Sequence, residues 1–377
     1  MRSSRQAFIA LAFCTALAEG ALAAEIVDTP RMGLVGPHSF KAIPATPGDT
    51  ITWTVDRVTR SESNGGSESI RRNHYKATGL NATFDLKKVS GKQTIWRVRA
   101  TDSAGSDVQE VQVFPPNKLS SFTFASTGNP IVRTYVVVPS SLREESKLLF
   151  VLHGASRNAN DYCNYWRNWT ADHGIVLLCP RFEESKWPGG RGYNRGNVFA
   201  DDKDTKLNPE NKWAYTVLEK IHGYARSGFG LDDERFDIWG HSAGGQFIER
   251  FLFFKPDAKL RLAMIANPGW YMLPSLTIAY PCGAKHAQLN FTQADLLEFS
   301  EREAVLFQGT ADTDPNDPET GGCMDAQGRG RYARAGYFYS ALKTFNPQTT
   351  WELVYIPNVD HDGERMAKEA QAWLDSR

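Results

Sequence analysis

Residues 235–248 read RFDIWGHSAGGQFI, an apolar run that ends at a glycine-flanked serine and continues into a helical pattern. Gly240 and Gly244 lie two residues either side of Ser242, where a missing side chain lets a strand and a helix approach across a sharp turn. This is the pattern of a nucleophile elbow, which holds a serine exposed at the top of a sheet. A glycine-rich strand-to-helix turn with an uninvolved serine is the alternative, so the rest of the chain must decide between them.

Strand and helix patterns alternate from residue 117 to the end of the chain. Seven apolar runs predict strands, at 132–138, 147–153, 174–179, 235–240, 260–266, 303–308 and 350–356. Helical patterns fall between them, at about 160–172, 211–228, 243–254, 331–345 and 363–375. Nearly continuous apolar runs are typical of a parallel sheet covered on both faces. We therefore expect an α/β domain over 117–377, with a doubly wound and mostly parallel sheet.

Residues 24–116 have a different, all-β character. Segments such as ITWTVD from residue 51 and WRVRA from residue 96 alternate apolar and polar side chains, and the turn signals PGD, SNGG and DSAGS separate such runs. Pro115 and Pro116 then end the last strand. The spacing predicts a small immunoglobulin-like sandwich over 24–116.

The first 23 residues have the pattern of an export signal. A basic start is followed by an apolar run over 7–18 and by Ala21-Leu22-Ala23, a small-residue cleavage site. The run is shorter than the ~20 apolar residues that a spanning helix needs, so we expect no permanent membrane anchor. The chain has 43 basic and 43 acidic residues, and this balance gives no indication of nucleic-acid binding. We expect a secreted or periplasmic protein of undetermined oligomeric state.

Four cysteines remain after Cys14 leaves with the signal, an even number that predicts two disulfides in an oxidising compartment. They are Cys163, Cys179, Cys282 and Cys323. Three connectivities are possible, and the element order favours Cys163 with Cys179 and Cys282 with Cys323. Metal binding is the alternative, but the sequence has no CxxC pair and no clustered histidines, so we expect no metal.

A serine nucleophile needs a base, because its free hydroxyl is almost wholly protonated at neutral pH. His361 lies just after the last predicted strand and just before the last helix, at the sheet edge where the elbow also lies. His241 is the competing candidate, but its place in the turn directs it away from the Ser242 hydroxyl. The sequence therefore predicts His361 as the base.

The imidazole in turn needs a carboxylate that fixes its tautomer and stabilises its charged form. Asp312 and Asp314 both follow the penultimate strand, and Asp312 is nearer the strand end. With Asn316 and Asp317 they superficially resemble a calcium loop, but the glycine and distal glutamate of such a loop are missing. We predict Asp312 as the acid of the site.

Acyl transfer builds negative charge on a carbonyl oxygen, so the site also needs amide donors. The sequence FVLHGAS ends an earlier strand in a turn, and we predict the backbone amides of Ala155 and Ala243 as the oxyanion hole. Trp187, Trp270 and Tyr271 are candidate lining residues of an acyl pocket, with packing beneath long loops as the alternative.

The order Ser242, Asp312, His361, each at the carboxyl end of a strand, resembles the α/β-hydrolase superfamily over residues 118–377. The motifs RTYVVVP, FVLHGASRNANDY, PRF and RGYNRGN are similar to those of secreted bacterial esterases and polyester depolymerase-like hydrolases. The resemblance implies an acyl-enzyme mechanism without a cofactor, with these three residues at the matching positions.

The leading hypothesis is an exported carboxylic-ester hydrolase acting on a small or polymeric ester. A serine peptidase on the same fold is the first alternative, and a panel of peptide substrates distinguishes it. The second is a non-catalytic binding protein with an inactive hydrolase domain, which a serine-directed fluorophosphonate probe would leave unlabelled.

Overall fold

The protein is described by a computed structural model that covers residues 23–27, 30–61, 69–88, 92–316 and 320–377. The predicted export signal, with Cys14, lies outside these ranges except for Ala23. Asp317 also lies outside them.

The described residues of 24–116 form two sheets that share one core. The strands are β1 (Glu25–Val27), β2 (Met32–Leu34), β3 (Gly36–Ile43), β4 (Thr52–Ser61), β5 (Ser69–Thr78), β6 (Asn81–Leu86), β7 (Lys92–Thr101) and β8 (Ser106–Phe114). One sheet has the order β1-β3-β6 and the other β2-β8-β7-β4-β5. Phe40 and Phe84 of the first sheet pack with the fully buried Trp53 and Trp96 of the second. The two-sheet arrangement fits a small sandwich, and its immunoglobulin-like type stays a prediction.

The described residues of 117–377 are built on an eight-stranded mixed sheet. Its strands are β9 (Ser120–Phe124), β10 (Val132–Val137), β11 (Leu148–Leu152), β12 (Val176–Arg181), β13 (Phe236–His241), β14 (Leu260–Ala266), β15 (Ala304–Gly309) and β16 (Glu352–Ile356). The order is β16-β15-β14-β13-β11-β12-β10-β9, with β11 to β16 parallel and β9 and β10 antiparallel at one edge. Seven of these strands correspond to the predicted runs. The eighth strand, β9, was not predicted, because its five residues are mostly Ser and Thr and do not form an apolar run.

Seven helices connect and cover these strands in the described part of the chain. They are α1 (Ala159–Asp172), α2 (Gly189–Gly192), α3 (Ala214–Phe229), α4 (Ala243–Phe254), α5 (Gln293–Ser300), α6 (Gly330–Phe345) and α7 (Gly363–Asp375). The five predicted helices are present, each within three residues at either end. Helices α2 and α5 were not predicted, although α5 begins at a capping box between Thr292 and Asp295. No helix in the described ranges is both long and apolar enough to cross a membrane.

The central strands are apolar along their length because both faces of the sheet are covered. In β11, Leu148, Phe150 and Leu152 belong to one buried core, whereas Leu149 and Val151 belong to the core on the opposite face. Since side chains alternate along a strand, a strand buried on both faces is a continuous apolar run.

The N-terminal sheets pack directly on the larger sheet's helical layer. Met32 and Phe114 are buried in the same core as α3. The Phe114 ring lies 5.8 Å from the Phe229 ring, and a Cβ built at Gly228 would lie 2.7 Å from the Met32 sulfur. The two parts of the chain are therefore joined by a buried apolar contact. The division between 116 and 117 stays a prediction.

Candidate active site

Ser242 lies in the turn between β13 and α4, with the backbone angles φ 58° and ψ −119°. A Cβ at Gly240 would lie 2.6 Å from the backbone of Gly244, and a Cβ at Gly244 would lie 2.5 Å from the carbonyl oxygen of Leu152. Real Cβ atoms do not approach this closely, so only glycine fits at these two positions. The two glycines allow the tight turn that presents Ser242.

Three predicted residues meet beside this turn. The Nε2 atom of His361 lies 3.0 Å from the Ser242 Oγ, and its Nδ1 lies 2.8 Å from Oδ2 of Asp312. Asp312 is 4% exposed, so its carboxylate is shielded from solvent. With Nδ1–H donating to Asp312, Nε2 is free to accept the serine proton. The arrangement can serve nucleophilic acyl transfer.

Backbone contacts hold the loops that carry Asp312 and His361 together. The amide of Thr310 donates to the carbonyl of Ile356, and that of Ala311 donates to the carbonyl of Val359, both at 2.9 Å. A Cβ at Gly309 would lie 2.3 Å from the Val359 carbonyl oxygen. The acid and the base therefore reach each other through directly paired loops.

Asn267 is a buried residue of the site that was not predicted from the sequence. It follows β14 with φ 43°, and its side chain accepts from the Gly309 amide at 2.8 Å and donates to the Asp360 carbonyl at 2.9 Å. One amide side chain thus joins the loop of Asp312 to the loop of His361. Asn is enriched at positive φ, so an asparagine placed directly after a strand is the signal that the sequence offered.

Arg331 lies against the second carboxylate oxygen of Asp312. Its Nη1 is 3.5 Å from Oδ1, and its side chain is mostly buried. The other predicted acid, Asp314, is exposed and accepts from the Asn316 amide, so it does not take part in the contact with His361. The position of Arg331 could not be predicted from the sequence, because Arg331 reaches Asp312 from the first turn of a separate helix, α6.

His241 does not contact the Ser242 hydroxyl, in agreement with its expected direction. Its Nδ1 lies 3.0 Å from the Tyr162 hydroxyl, and its ring centroid lies 4.5 Å from that of His361. Burial holds the pKa of His241 well below its ordinary value, and the nearby charges of His361 and Arg331 lower it further. Its ring therefore stays neutral.

The predicted oxyanion turn lies beside the elbow. A Cβ at Gly154 would lie 3.7 Å from the Cβ of Ser242. His153 accepts from the Phe182 amide through Nε2 and contacts the Gly154 carbonyl through Nδ1, and burial lowers its pKa to about 3. A neutral histidine thus supports the turn. The use of the Ala155 and Ala243 amides as an oxyanion hole stays a prediction.

Arg157 holds the loop that follows β12 against this turn. Its guanidinium donates to the backbone carbonyls of Phe182, Trp187 and Gly189 and pairs with Glu184 at 2.8 Å. Arg157 itself is buried and has φ 57°. In the sequence this arginine stood out only as part of a motif, without a predicted role.

The three aromatic residues predicted to line a pocket are nearly fully buried. Trp187, Trp270 and Tyr271 are 2%, 4% and 0% exposed. Trp270 packs on the buried guanidinium of Arg250 at 4.1 Å, and Tyr271 stacks on Phe338. These contacts are those of packing beneath loops, the alternative interpretation of these side chains, and a role in the acyl pocket stays a prediction.

The structure contains the disulfides Cys163–Cys179 and Cys282–Cys323, which is the favoured pairing. The first joins α1 to β12, and the second joins the loop after β14 to the segment before α6. Among the described residues, no group of three or more His, Cys, Asp or Glu side chains is placed to hold a metal ion.

Two solved structures resemble this chain closely enough to define its class, a hydrolase with a mixed α/β sheet. Poly(aspartic acid) hydrolase-1 from Sphingomonas sp. KT-1 is 31% identical with a TM-score of 0.65, and the match covers 69% of this chain and 98% of that one. A poly(3-hydroxybutyrate) depolymerase from Bordetella parapertussis is 26% identical with a TM-score of 0.64, covering 69% and 90%. No family model and no curated protein matches the chain. The chain belongs to the α/β-hydrolase superfamily, which confirms the resemblance seen in its motifs.

Proposed function

We propose that the chain is an exported serine hydrolase that cleaves carboxylic esters through an acyl-enzyme intermediate. The observation that carries the proposal is the hydrogen-bonded chain from Ser242 through His361 to Asp312. The resemblance to a poly(3-hydroxybutyrate) depolymerase adds support for an ester substrate. The acyl group, small or polymeric, is the open part of the proposal.

In the first half of the reaction, Nε2 of His361 takes the proton of Ser242 as Oγ attacks the ester carbonyl. The carbonyl oxygen becomes negative, and the amides of Ala155 and Ala243 stabilise it. Collapse breaks the bond to the alcohol, which leaves with the proton from His361. Water then attacks the acyl-enzyme with His361 again as base, and the acid leaves as Ser242 regains its proton.

Ser242→Ala tests the proposal with a short p-nitrophenyl ester. We expect turnover to fall by at least roughly three orders of magnitude, as it does when a catalytic serine is removed. The matched control is Ser340→Ala, which removes an exposed hydroxyl on α6 and leaves activity unchanged. Full activity in Ser242→Ala would overturn the assignment. Failure of a fluorophosphonate to label the wild-type protein would favour the non-catalytic binding protein instead.

Amide hydrolysis is the second candidate, because the 31% identical relative is named for poly(aspartic acid), an amide-linked polymer. The serine peptidase considered from the sequence is one form of this candidate, because a peptide bond is an amide. A screen of p-nitrophenyl esters of increasing chain length, an insoluble polyester film, poly(aspartic acid) and a peptide panel distinguishes the two. Ester cleavage without amide cleavage supports the leading proposal.

Export is part of the same proposal. Two disulfides are typical of proteins that fold in an oxidising compartment, and the first 23 residues have the pattern of a signal. Amino-terminal sequencing of the mature protein tests it, with residue 24 as the expected start. An intact Met1 would contradict it.

A further inference from the structure

Tyr162 and His241 form a buried hydrogen-bonded pair directly behind the His361 ring. The Tyr162 hydroxyl lies 3.0 Å from His241 Nδ1, and the two side chains are 7% and 2% exposed. They come from α1 and from the end of β13, so the pair is made by the fold and not by sequence proximity. The acyl-transfer steps proposed above do not use either side chain.

This pair contacts three separate parts of the candidate site. A Cβ built at Gly154, in the predicted oxyanion turn, would lie 2.9 Å from the Tyr162 hydroxyl oxygen. The His241 ring lies against the His361 ring at 4.5 Å with an angle of 35° between the planes. A Cβ at Gly363, at the start of α7, would lie 3.1 Å from the Tyr162 hydroxyl oxygen and 3.2 Å from His241 Nδ1.

The pair is joined by one hydrogen bond between the Tyr162 hydroxyl and the His241 imidazole, and the tautomer of His241 decides which of the two donates. Burial disfavours a charge on His241. A neutral ring packed against His361 does not repel the imidazolium that forms there during acyl transfer, whereas a charged one would.

A disulfide next to Tyr162 also restrains the pair. Tyr162 precedes Cys163, whose disulfide to Cys179 ties α1 to β12. The backbone next to Tyr162 is therefore tied to the sheet by a covalent bond. The Tyr162 side chain is buried and hydrogen-bonded to His241, so it has little freedom to move.

We propose that Tyr162 and His241 are positioning residues that fix the His361 ring and the Gly154 turn in a single relative geometry. The inference rests on the proposed function, because it concerns the base and the oxyanion turn of that reaction. Small displacements of a catalytic group reduce reaction rates strongly. Loss of the pair should therefore lower kcat and leave substrate affinity unchanged.

Tyr162→Phe removes only the hydroxyl and tests the proposal with the full-length mature protein. We expect turnover of a short p-nitrophenyl ester to fall about 10- to 100-fold, with KM unchanged within about twofold. The far-downfield proton NMR signal of the hydrogen between His361 and Asp312 should broaden or disappear. The matched control is Tyr165→Phe, the same change one turn along α1, which should leave turnover and the NMR signal as in the wild type.

The double variant Tyr162→Phe with His241→Phe separates positioning from simple stability. It removes both buried polar partners, so thermal stability should recover relative to Tyr162→Phe. The proposal expects kcat to stay low, because the Gly154 turn still lacks its contact with the Tyr162 hydroxyl. If kcat returns together with stability, or if Tyr162→Phe keeps the wild-type kcat, the proposal is wrong. The proposed function fails by a different result, full activity in Ser242→Ala.

Discussion

At the scale of the residue, the backbone of Ser242 is held in a conformation that non-glycine residues rarely adopt. A positive φ of this kind costs on the order of 1–3 kcal/mol. Two hydrogen bonds hold it: the Ser242 amide donates to the Ala266 carbonyl at 2.9 Å, and the Gln246 amide donates to the Ser242 carbonyl at 3.0 Å. The neighbouring strand and helix therefore maintain the strain that exposes the hydroxyl.

The contact of Arg331 with Asp312 predicts an effect on turnover at the same scale. Nη1 of Arg331 lies 3.5 Å from Oδ1 of Asp312, the carboxylate oxygen that does not contact His361. In Arg331→Gln the buried carboxylate loses a charged partner, so Asp312 should hold the His361 ring less firmly. We expect kcat for a short p-nitrophenyl ester to fall about 10-fold.

Steady-state kinetics of ester hydrolysis measure the Arg331 effect. Arg331→Lys keeps the charge and is the matched control, so its kcat should lie between those of Arg331→Gln and the wild type. A wild-type kcat in Arg331→Gln would contradict this role of the charge.

At the scale of the element, the close approach of α4 to β11 depends on a missing side chain. Gly244→Ala places a Cβ 2.5 Å from the Leu152 carbonyl oxygen and 2.8 Å from that of His153, and these backbone atoms leave little room to relax. We expect a loss of about 3 kcal/mol in the free energy of unfolding, together with loss of ester hydrolysis.

Gly223→Ala is the matched control for this substitution in urea unfolding. Gly223 lies in α3, and nothing lies within 4 Å of a Cβ built there. Alanine at such a helical position should stabilise the protein by about 0.5–1 kcal/mol. Equal effects of the two substitutions would refute the packing argument.

At the scale of the whole molecule, the contact of Met32 and Phe114 with α3 should make the two parts of the chain unfold together. Met32→Asp places a carboxylate in this contact, where Met32 is 1% exposed. Burying an unpaired charge is costly, so the contact should open. Calorimetry should show one unfolding transition for the wild type and two for the variant.

Ile70→Asp is the control for the calorimetry, because Ile70 is 40% exposed on β5. It should keep the single transition of the wild type. Two transitions in the wild-type protein would mean that the buried contact does not couple the two parts.

Much of the fold was readable from the sequence because its signals are local. Continuous apolar runs marked β11 to β16, and the alternation of strands with helices placed the ends of β13, β15 and β16 at one edge of the sheet. Ser242, Asp312 and His361 could be chosen because each follows one of those strands directly. The short strand β9 and the helices α2 and α5 lack such strong periodicity, and they were missed.

The sequence by itself determined the α/β class, the candidate nucleophile, acid and base, and the favoured cysteine pairs, because strand order and chain direction restrict where these residues can lie. Only the tertiary structure decided which side chains surround them. Asn267, Arg331 and the pair of Tyr162 with His241 reach the site from separate elements, through contacts that leave no spacing pattern in the chain. Such contacts depend on how helices and loops pack on the finished sheet, and that packing is a property of the whole fold.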